Sequence, residues 1–273
     1  MKYSPQLARC LGWGMGLILC SVAAAAEFRS DPSTPGNFPP LPKCRLTYAF
    51  GWSDVLEAAR ATMQFNPTDQ DYRVTVVGET TGAARLIWPM NARHDAIIDP
   101  GALRGRWMEQ FETYRNKSIE TRVSFLGEDG VMRFRRVNPD PDLTAKWKRI
   151  RIGNPFDILG GVLFVRSQPL NDGEKLTIIG FPGDSAYQIQ LKVEGRETLE
   201  VMGKEVRAIR IGMEVQKIEF VKNRPVGLVP HRRFRSGMVW ISDDEKRIPL
   251  RAEVQIFIGA VTAELVGADF DLP

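Results

Sequence analysis

Apolar residues occupy every second position in many short segments of this chain, and this period of two limits what the chain can fold into. Side chains on a β-strand point to opposite faces in turn, so a strand with one buried face shows an apolar residue at every second position. The pattern is found at residues 46–52, 72–76, 119–125, 187–193, 209–215 and 250–258. The sequence therefore predicts a mainly β protein.

Short segments rich in glycine and polar residues separate these strand patterns. They lie at residues 127–130, 181–185, 202–205, 242–246 and 259–260. Connections this short join neighbouring strands in antiparallel order, and a long antiparallel sheet twists and tends to curl. We predict a single curled antiparallel sheet that resembles a half-barrel or an open barrel, with one face on a core and the other in water.

Two segments interrupt the alternation. Residues 80–90 are compact and predict one or two helical turns. Residues 155–165 carry apolar side chains at roughly helical spacing, with Asn154 as a candidate N-cap and Pro155 in the first turn. Each glycine of the Gly160–Gly161 pair lowers helix stability by about 1 kcal/mol relative to alanine, so we expect packing to hold this helix, with the glycines allowing close approach to the sheet. One apolar helix on the concave face completes the predicted fold.

The N-terminus has the three features of a secretory signal peptide in the required order. Lys2 and Arg9 precede an apolar run at residues 11–22, and a stretch of alanines ends at Ala26. The run is shorter than the roughly 20 apolar residues that a membrane-spanning helix needs. We predict a signal peptide over residues 1–26 that is cleaved after Ala26, a periplasmic protein, and no transmembrane segment in the mature chain.

Cleavage would change both the thiol content and the charge of the chain. It would remove two of three cysteines and leave Cys44, which we expect to be buried in a strand and unable to form an internal disulfide. It would also remove two of the 37 basic residues and none of the 33 acidic ones, so net charge gives no support for a nucleic-acid partner. Residues 27–42 are proline-rich and predict an extended, poorly packed leader. Residues 43–273 then form a single β-rich domain.

Residue types that commonly carry catalysis are scarce. His94 lies in a strand beside Asp95, which would point to the opposite face, so we expect a solvated or hydrogen-bonded histidine rather than a metal ligand. The phosphate-binding, dinucleotide-binding and nucleophile-elbow motifs are absent from the sequence. We predict no cofactor, no metal and no catalytic residue, and favour a protein that is not an enzyme.

Basic residues interleaved with aromatic ones form the candidate ligand-binding positions, because such clusters can bind anionic head groups. One cluster is the run at residues 133–136. The candidate ligand-binding residues are Trp147, Lys148, Arg149, Arg151, His231, Arg232 and Arg233. Solvated side chains on the wet face of strands are the alternative interpretation of all of these.

Three blocks of the sequence resemble a known family. They are the opening CRLTYAFGW at residues 44–52, residues 156–176 and residues 237–265. The most specific element is a W-x-S-D-D-x-x-R-x-P signature formed by Trp240, Ser242, Asp243, Asp244, Arg247 and Pro249. From about residue 42 to the end, the chain resembles the bacterial envelope family known as domain of unknown function 3108. The resemblance implies an exported β-rich domain and brings no activity, cofactor or catalytic residues.

The signature also has a physical interpretation as a β-hairpin. Trp240 is expected to anchor one strand in the core, and Ser242 and the two aspartates to bond amides of the turn. Arg247 is expected to pair with an aspartate across the turn. These roles are structural rather than catalytic.

Two functions remain open at this point. The first is a non-enzymatic binding or scaffold module for an apolar or amphipathic envelope ligand, with a lipid, a glycolipid or an envelope protein as partner. The alternative is an envelope hydrolase that uses the carboxylates of Asp157, Asp243 or Asp244.

Overall fold

The computed structural model describes residues 28–52, 56–139, 146–231, 234, 236–255 and 260–270, and the predicted signal peptide lies outside them. The strands are β1 Cys44–Trp52, β2 Leu56–Pro67, β3 Tyr72–Thr80, β4 Met90–Ile98, β5 Gly105–Tyr114, β6 Lys117–Phe125, β7 Val131–Asn138, β8 Lys146–Ile150, β9 Lys175–Gly180, β10 Tyr187–Val201, β11 Lys204–Val221, β12 Arg224–Pro230, β13 Ser236–Ser242, β14 Pro249–Gln255 and β15 Ala260–Ala268. The helices are α1 Gly82–Ile87 and α2 Ile158–Ser167. Neither helix is long and apolar enough to cross a membrane in the described part of the chain.

All of these strands belong to one antiparallel sheet. Their order is β8-β7-β6-β5-β4-β3-β2-β1-β15-β14-β13-β11-β10-β9, and β12 pairs with the far end of β11. Strands β8 and β9 form the two edges, so the sheet does not close into a barrel. This confirms the predicted mainly β fold with a single curled sheet.

The period of two in the sequence corresponds to the two faces of this sheet. On β1, Cys44, Leu46 and Tyr48 are buried and lie opposite inward-facing residues of β2, such as Phe65. We call the face that carries these residues the inner face. Burial of Cys44 was predicted, and it raises the pKa of the thiol to about 11.

Helix α2 is the apolar helix predicted from the sequence, but its cap differs from the prediction. The N-cap is Asp157, whose Oδ1 accepts hydrogen bonds from the N–H groups of Leu159 and Gly160 at 3.0 Å each. Asn154 was the wrong candidate because it precedes the helix and its N–H donates to the Gly127 carbonyl.

Close approach of the glycines in α2 was also predicted. A Cβ on Gly160 would lie 2.8 Å from the Leu103 carbonyl oxygen, and one on Gly161 would lie 3.5 Å from the Ile178 side chain of β9. The helix therefore contacts both the sheet and the β4–β5 connection, and its own Leu163 and Phe164 side chains are fully buried.

Residues 28–42, which we call the strap, do not form the poorly packed leader that their composition predicts. Asp31 exchanges two backbone hydrogen bonds of 2.7 Å with Thr177 of β9. Leu41 is fully buried, and its carbonyl accepts a hydrogen bond from the Tyr72 hydroxyl at 2.5 Å. Prolines prevent a regular strand here, but the remaining backbone groups still find partners on α2 and the sheet.

The connection between β9 and β10, residues 181–186, packs against the inner face of β5 to β7. We call it the plug. Gln110 of β5 donates to the Pro182 carbonyl at 2.8 Å, and Arg133 of β7 donates to the Asp184 carbonyl at 2.8 Å. Gly183 has a φ of +125° and so little space that a Cβ would lie 3.1 Å from Met108. The plug therefore fills part of the space beside the open edge of the sheet.

Candidate functional site

The family signature forms the hairpin between β13 and β14, and the side chains of Ser242 and Asp244 hold the turn. Asp244 Oδ1 accepts from the N–H groups of Lys246 and Arg247 at 3.1 and 2.9 Å and from the Ser242 hydroxyl. Ser242 Oγ in turn accepts from the Ile248 N–H at 2.8 Å. The local bonding predicted for the serine and for this aspartate is therefore present.

Three other signature residues contact neighbouring strands. Trp240 is buried, as expected, and its indole N–H donates to Glu197 of β10. Asp243 bonds no amide of the turn through its carboxylate and instead lies 3.0 Å from Arg207 and 3.5 Å from Arg196. Pro249 begins β14, and its carbonyl accepts from the Tyr48 hydroxyl at 2.8 Å.

Arg247 does not pair with an aspartate across the turn, contrary to the prediction. Its Nη1 donates to the carbonyls of Arg166 and Gln168, and its Nη2 donates to the carbonyl of Pro169 at 2.9 Å. Its guanidinium also lies 3.4 Å from the centre of the Phe38 ring in the strap. A cation suits this place because the last carbonyls of α2 carry the negative end of the helix dipole.

Arg166 of α2 makes the reciprocal contacts. Its guanidinium donates to the carbonyls of Lys246 at 2.7 Å and Pro39 at 2.9 Å. Burial lowers its pKa to about 10, so it stays charged at neutral pH. The pair Arg166 and Arg247, which we call the arginine clasp, joins α2, the signature hairpin and the strap.

The hydrolase alternative would use the carboxylates of Asp157, Asp243 and Asp244. Within the described residues, no hydrogen bond or ion pair joins any two of them. Asp157 is fully buried as the cap of α2, and its Oδ2 has no hydrogen-bond partner there. Burial raises its pKa to about 6, although the Gly160 and Leu159 N–H groups act in the opposite direction. Asp243 and Asp244 are engaged in the signature hairpin, as described above.

The candidate basic residues near β8 are divided between the two faces of the sheet. Trp147 lies on the outer face, where its ring centre is 5.3 Å from that of Phe134. Arg149, on the same face, pairs with Asp129 at 3.1 Å. Lys148 lies on the inner face, and Arg151 is exposed after the end of β8.

The other candidates follow β12. The ring of His231 lies 5.4 Å from Tyr187 and 5.6 Å from Phe234, and its Nδ1 accepts from the Phe234 N–H at 2.8 Å. Arg232 and Arg233 lie outside the described residues.

Lys148 shares the inner face with two arginines of the run at residues 133–136. Arg133 is directly opposite Lys148 on β8 and opposite the fully buried Val123 on β6. Arg135 follows on the same face, opposite the buried Thr121. We call Arg133, Arg135 and Lys148 the cationic row.

The two faces of β7 differ in how their charge is balanced. On the outer face, Glu120 pairs with Arg136 at 2.7 Å and with Arg122 at 2.6 Å. On the inner face, Arg135 and Lys148 make no ion pair within the described residues. Among the described residues, the cationic row is therefore a local excess of positive charge.

Arg133 is the most buried member of the cationic row. Its Nε is buried and has no hydrogen-bond partner in the described part of the chain. Burial lowers its pKa, and Arg135 adds to that shift while Asp184 opposes it. A half-buried guanidinium next to another cation is stabilised by an anion.

His94 lies on the inner face of β4 and is hydrogen-bonded, as predicted. Its Nδ1 is 3.3 Å from Gln110 Nε2, and its Nε2 is buried without a partner in the described residues. Burial lowers its pKa to about 4, so the ring is neutral at physiological pH. The described residues contain no group of three or more His, Cys, Asp or Glu that could hold a metal ion.

A groove of about 560 Å³ crosses the outer face of β9, β10, β11, β13 and β14. Its outward-facing lining consists of Lys175, Thr177, Gln190, Lys192, Glu194, Gly212, Glu214, Ser236, Met238, Glu253 and Gln255. Leu176, Leu191 and Met213 also line the groove, so charged, amide and apolar side chains are mixed there.

The chain is similar in fold to solved structures. No curated protein matches the chain. A β-barrel-like protein of domain of unknown function DUF1849 from Brucella abortus has a TM-score of 0.53 at 10% identity, with 85% of this chain and 100% of that chain covered. At that identity the likeness concerns the fold alone.

Two further solved structures are more distant. A Bacteroides fragilis protein with a YmcC-like fold, provisionally described as exported, gives a TM-score of 0.38 at 9% identity over 86% of this chain and 100% of that one. A protein from Parabacteroides distasonis, provisionally described as a lipoprotein, gives 0.33 at 6% identity over 86% and 99%.

The family model described as "Protein of unknown function (DUF3108)" matches residues 43–266. This match includes both strands of the signature hairpin, β13 and β14, and confirms the resemblance that the sequence blocks indicate. The chain belongs to this family of proteins of unknown function.

Proposed function

We propose that this protein is an exported, non-enzymatic binding module of the bacterial envelope that holds an amphipathic ligand by its anionic head group. The observation that carries the proposal is the cationic row on the inner face of β7 and β8. Outer-face arginines of the same region pair with glutamates, whereas Arg135 and Lys148 have no ion-pair partner in the described residues. A phosphate or carboxylate head group would supply the missing negative charge.

Apolar side chains continue the same face beyond the cationic row. Ile119 of β6 and Val137 of β7 lie directly opposite each other and are half-buried. One carboxylate, Glu112, lies opposite Ile119 on β5 but makes no ion pair with the row. A ligand with its head on the row could lay its apolar part along these residues, which favours an amphipathic ligand over a simple anion.

Two other features support the remaining parts of the proposal. The carboxylates that a hydrolase would use are a buried helix cap, a turn cap and an arginine partner, so a binding role needs fewer additional assumptions. Export rests on the order of charge, apolar run and small residues at positions 1–26.

Calorimetric titration tests the proposal with two amphiphiles that share a tail, dodecyl phosphate and dodecyl maltoside, each below its micelle concentration. We expect the phosphate to bind about tenfold more tightly or better, because only its head group carries negative charge. Arg135→Gln combined with Lys148→Gln should remove most of that preference. Both side chains are exposed, so folding should be preserved.

The matched control is Arg149→Gln, which neighbours Lys148 on β8 but lies on the outer face beside Asp129. It should leave the preference for the phosphate unchanged. Equal affinity for the two amphiphiles, or an equal loss in the control variant, would overturn the proposal.

A further inference from the structure

Three consecutive apolar residues project from the connection between β3 and β4. Leu86 is 88% exposed, Ile87 is 73% exposed and Trp88 is 44% exposed. None of the residues of α1, which contains the first two, is buried. We call Leu86, Ile87 and Trp88 the apolar tip. Single exposed apolar residues are common, but a run of three large ones in water marks an interaction surface.

The apolar tip is held in a fixed shape rather than left loose. The ring of Trp88 stacks on Tyr114 of β5 with centroids 5.7 Å apart and planes at 11°. The Arg115 guanidinium lies 4.6 Å from the Trp88 ring centre, and its Nη2 donates to the Ile87 carbonyl at 3.4 Å. The Trp88 ring is therefore held in place by contacts with a tyrosine and an arginine.

A second arginine holds the base of the connection. Arg85 donates to the Thr80 carbonyl at 3.2 Å and the Met90 carbonyl at 3.4 Å, and it pairs with Glu79 at 3.3 Å. These bonds join the end of β3 to the start of β4. The side chains of Leu86 and Ile87 therefore project into solvent from a backbone that these bonds already hold in place.

The residue types that meet at the apolar tip indicate what covers it. Aliphatic side chains are most exposed, a Trp–Tyr stack follows, and guanidinium groups lie beside it. These groups match a membrane surface, where aliphatic side chains enter the acyl region and aromatic and basic side chains lie at the head groups.

The small size of the apolar tip argues against a protein partner. A stable protein interface buries about 800 Å² on each partner, which three side chains at the end of a six-residue helix do not supply. Trp52, 51% exposed, lies at the same end of the sheet because β1 ends where β3 ends. It could add a further interfacial aromatic group.

We propose that the apolar tip inserts into the interface of a phospholipid membrane and docks the protein on the envelope. Arg85 and Arg115 then lie at the depth of the lipid head groups. This inference does not depend on the cationic row, which lies on other strands.

Flotation with vesicles of phosphatidylethanolamine and phosphatidylglycerol tests this proposal on the purified protein. We expect the wild type to float with the vesicles. Leu86→Ser combined with Ile87→Ser should lower the partition coefficient about tenfold or more, because two aliphatic side chains no longer leave water on docking. The substitution introduces no charge, so any loss reports on apolar contact rather than on repulsion.

The matched control is Val221→Ser combined with Val226→Ser, on the β11–β12 hairpin, where both valines are more than half exposed. This variant should float like the wild type. Failure of the wild type to float, or equal flotation of all three proteins, would overturn the proposal. So would a dimer in solution that the Leu86 and Ile87 substitutions dissociate, because the apolar tip would then contact a second copy.

Discussion

The two α-helices of the described residues are held in place in opposite ways. Seven of the ten residues of α2 are buried, its N-terminus has a side-chain cap, and the arginine clasp closes its C-terminus. Helix α1 has six residues, none of them buried, and its N-cap Thr81 makes no capping hydrogen bond. Contacts with the rest of the fold therefore explain why α2 carries apolar residues, whereas the apolar residues of α1 contribute little to the stability of the fold. The exposed apolar side chains of α1 are therefore available for a contact outside the chain.

The largest effect is expected where the arginine clasp closes α2. Arg247→Ala removes the donor to three carbonyls at the end of the helix and a cation over the Phe38 ring. Buried carbonyls without a partner are costly, so we expect the free energy of unfolding to fall by about 3 to 5 kcal/mol. Urea denaturation followed by circular dichroism measures this change.

The counterpart on the other helix is Arg115→Ala, which removes the cation over Trp88 beside α1. An exposed cation–π contact contributes roughly 0.5 to 1 kcal/mol, so this variant should stay close to the wild type. Equal losses in the two variants would show that the two helices are not held differently.

The second effect concerns pH and the cap of α2. Asp157 has its pKa raised from 3.8 to about 6, so the folded protein holds this proton more tightly than the unfolded chain does. The contribution of the protonated carboxyl to folding is therefore complete below about pH 4 and is lost as the pH rises through 6. Asn can also serve as an N-cap but cannot ionise.

Asp157→Asn should thus gain stability relative to the wild type as the pH rises from 4 to 7, by an amount on the order of 3 kcal/mol. Denaturation of both proteins at several pH values measures the difference. Thr81→Ala at the start of α1 is the control and should give a difference that varies far less with pH, since the carboxylate that its hydroxyl contacts, Glu57 at 3.4 Å, is exposed. If the difference in unfolding free energy between Asp157→Asn and the wild type stayed constant with pH, the raised pKa of Asp157 would be contradicted.

The third effect separates two adjacent glycines in α2. A Cβ at position 160 would lie 2.6 Å from Asp157 Oδ2 and 2.8 Å from the Leu103 carbonyl, so Gly160→Ala should destabilise by about 1 to 3 kcal/mol. A Cβ at position 161 would make ordinary contacts, so Gly161→Ala should stabilise by up to about 1 kcal/mol through helix propensity. Thermal unfolding of the two variants measures these opposite shifts. The same sign for both would mean that close approach does not explain the pair.

The sheet could be predicted from the sequence because many of its strands alternate apolar and polar residues, which face opposite sides of the sheet. β1, β3, β6, β10, β11 and β14 were all recognised in this way. What could not be predicted depends on contacts between distant segments. The composition of the strap does not indicate that Asp31 pairs with β9. The signature likewise does not indicate that Arg247 reaches the end of α2 rather than an aspartate.

The candidate site was predicted in part for the same reason. The basic runs near β7 and β8 were recognised, but which residues share a face depends on register. Only the pairing of Arg133 with Lys148 shows that those two cations face inward together, while Arg149 turns outward to Asp129. The apolar tip has a sequence signal in three large apolar residues before Pro89, and its exposure follows only from the absence of a covering element among the described residues.

The smallest effect on stability is expected in the apolar tip itself. Leu86→Ser combined with Ile87→Ser removes apolar surface that is already in water, so the free energy of unfolding should change by no more than about 0.5 kcal/mol. Burial of the same side chain types in α2 makes truncation far more costly, and Leu163→Ala should lose about 2 to 5 kcal/mol. Urea denaturation of both variants measures the contrast. A loss above 1 kcal/mol in the first variant would mean that the apolar tip packs against the protein in solution, and the difference between the two helices would then be one of degree only.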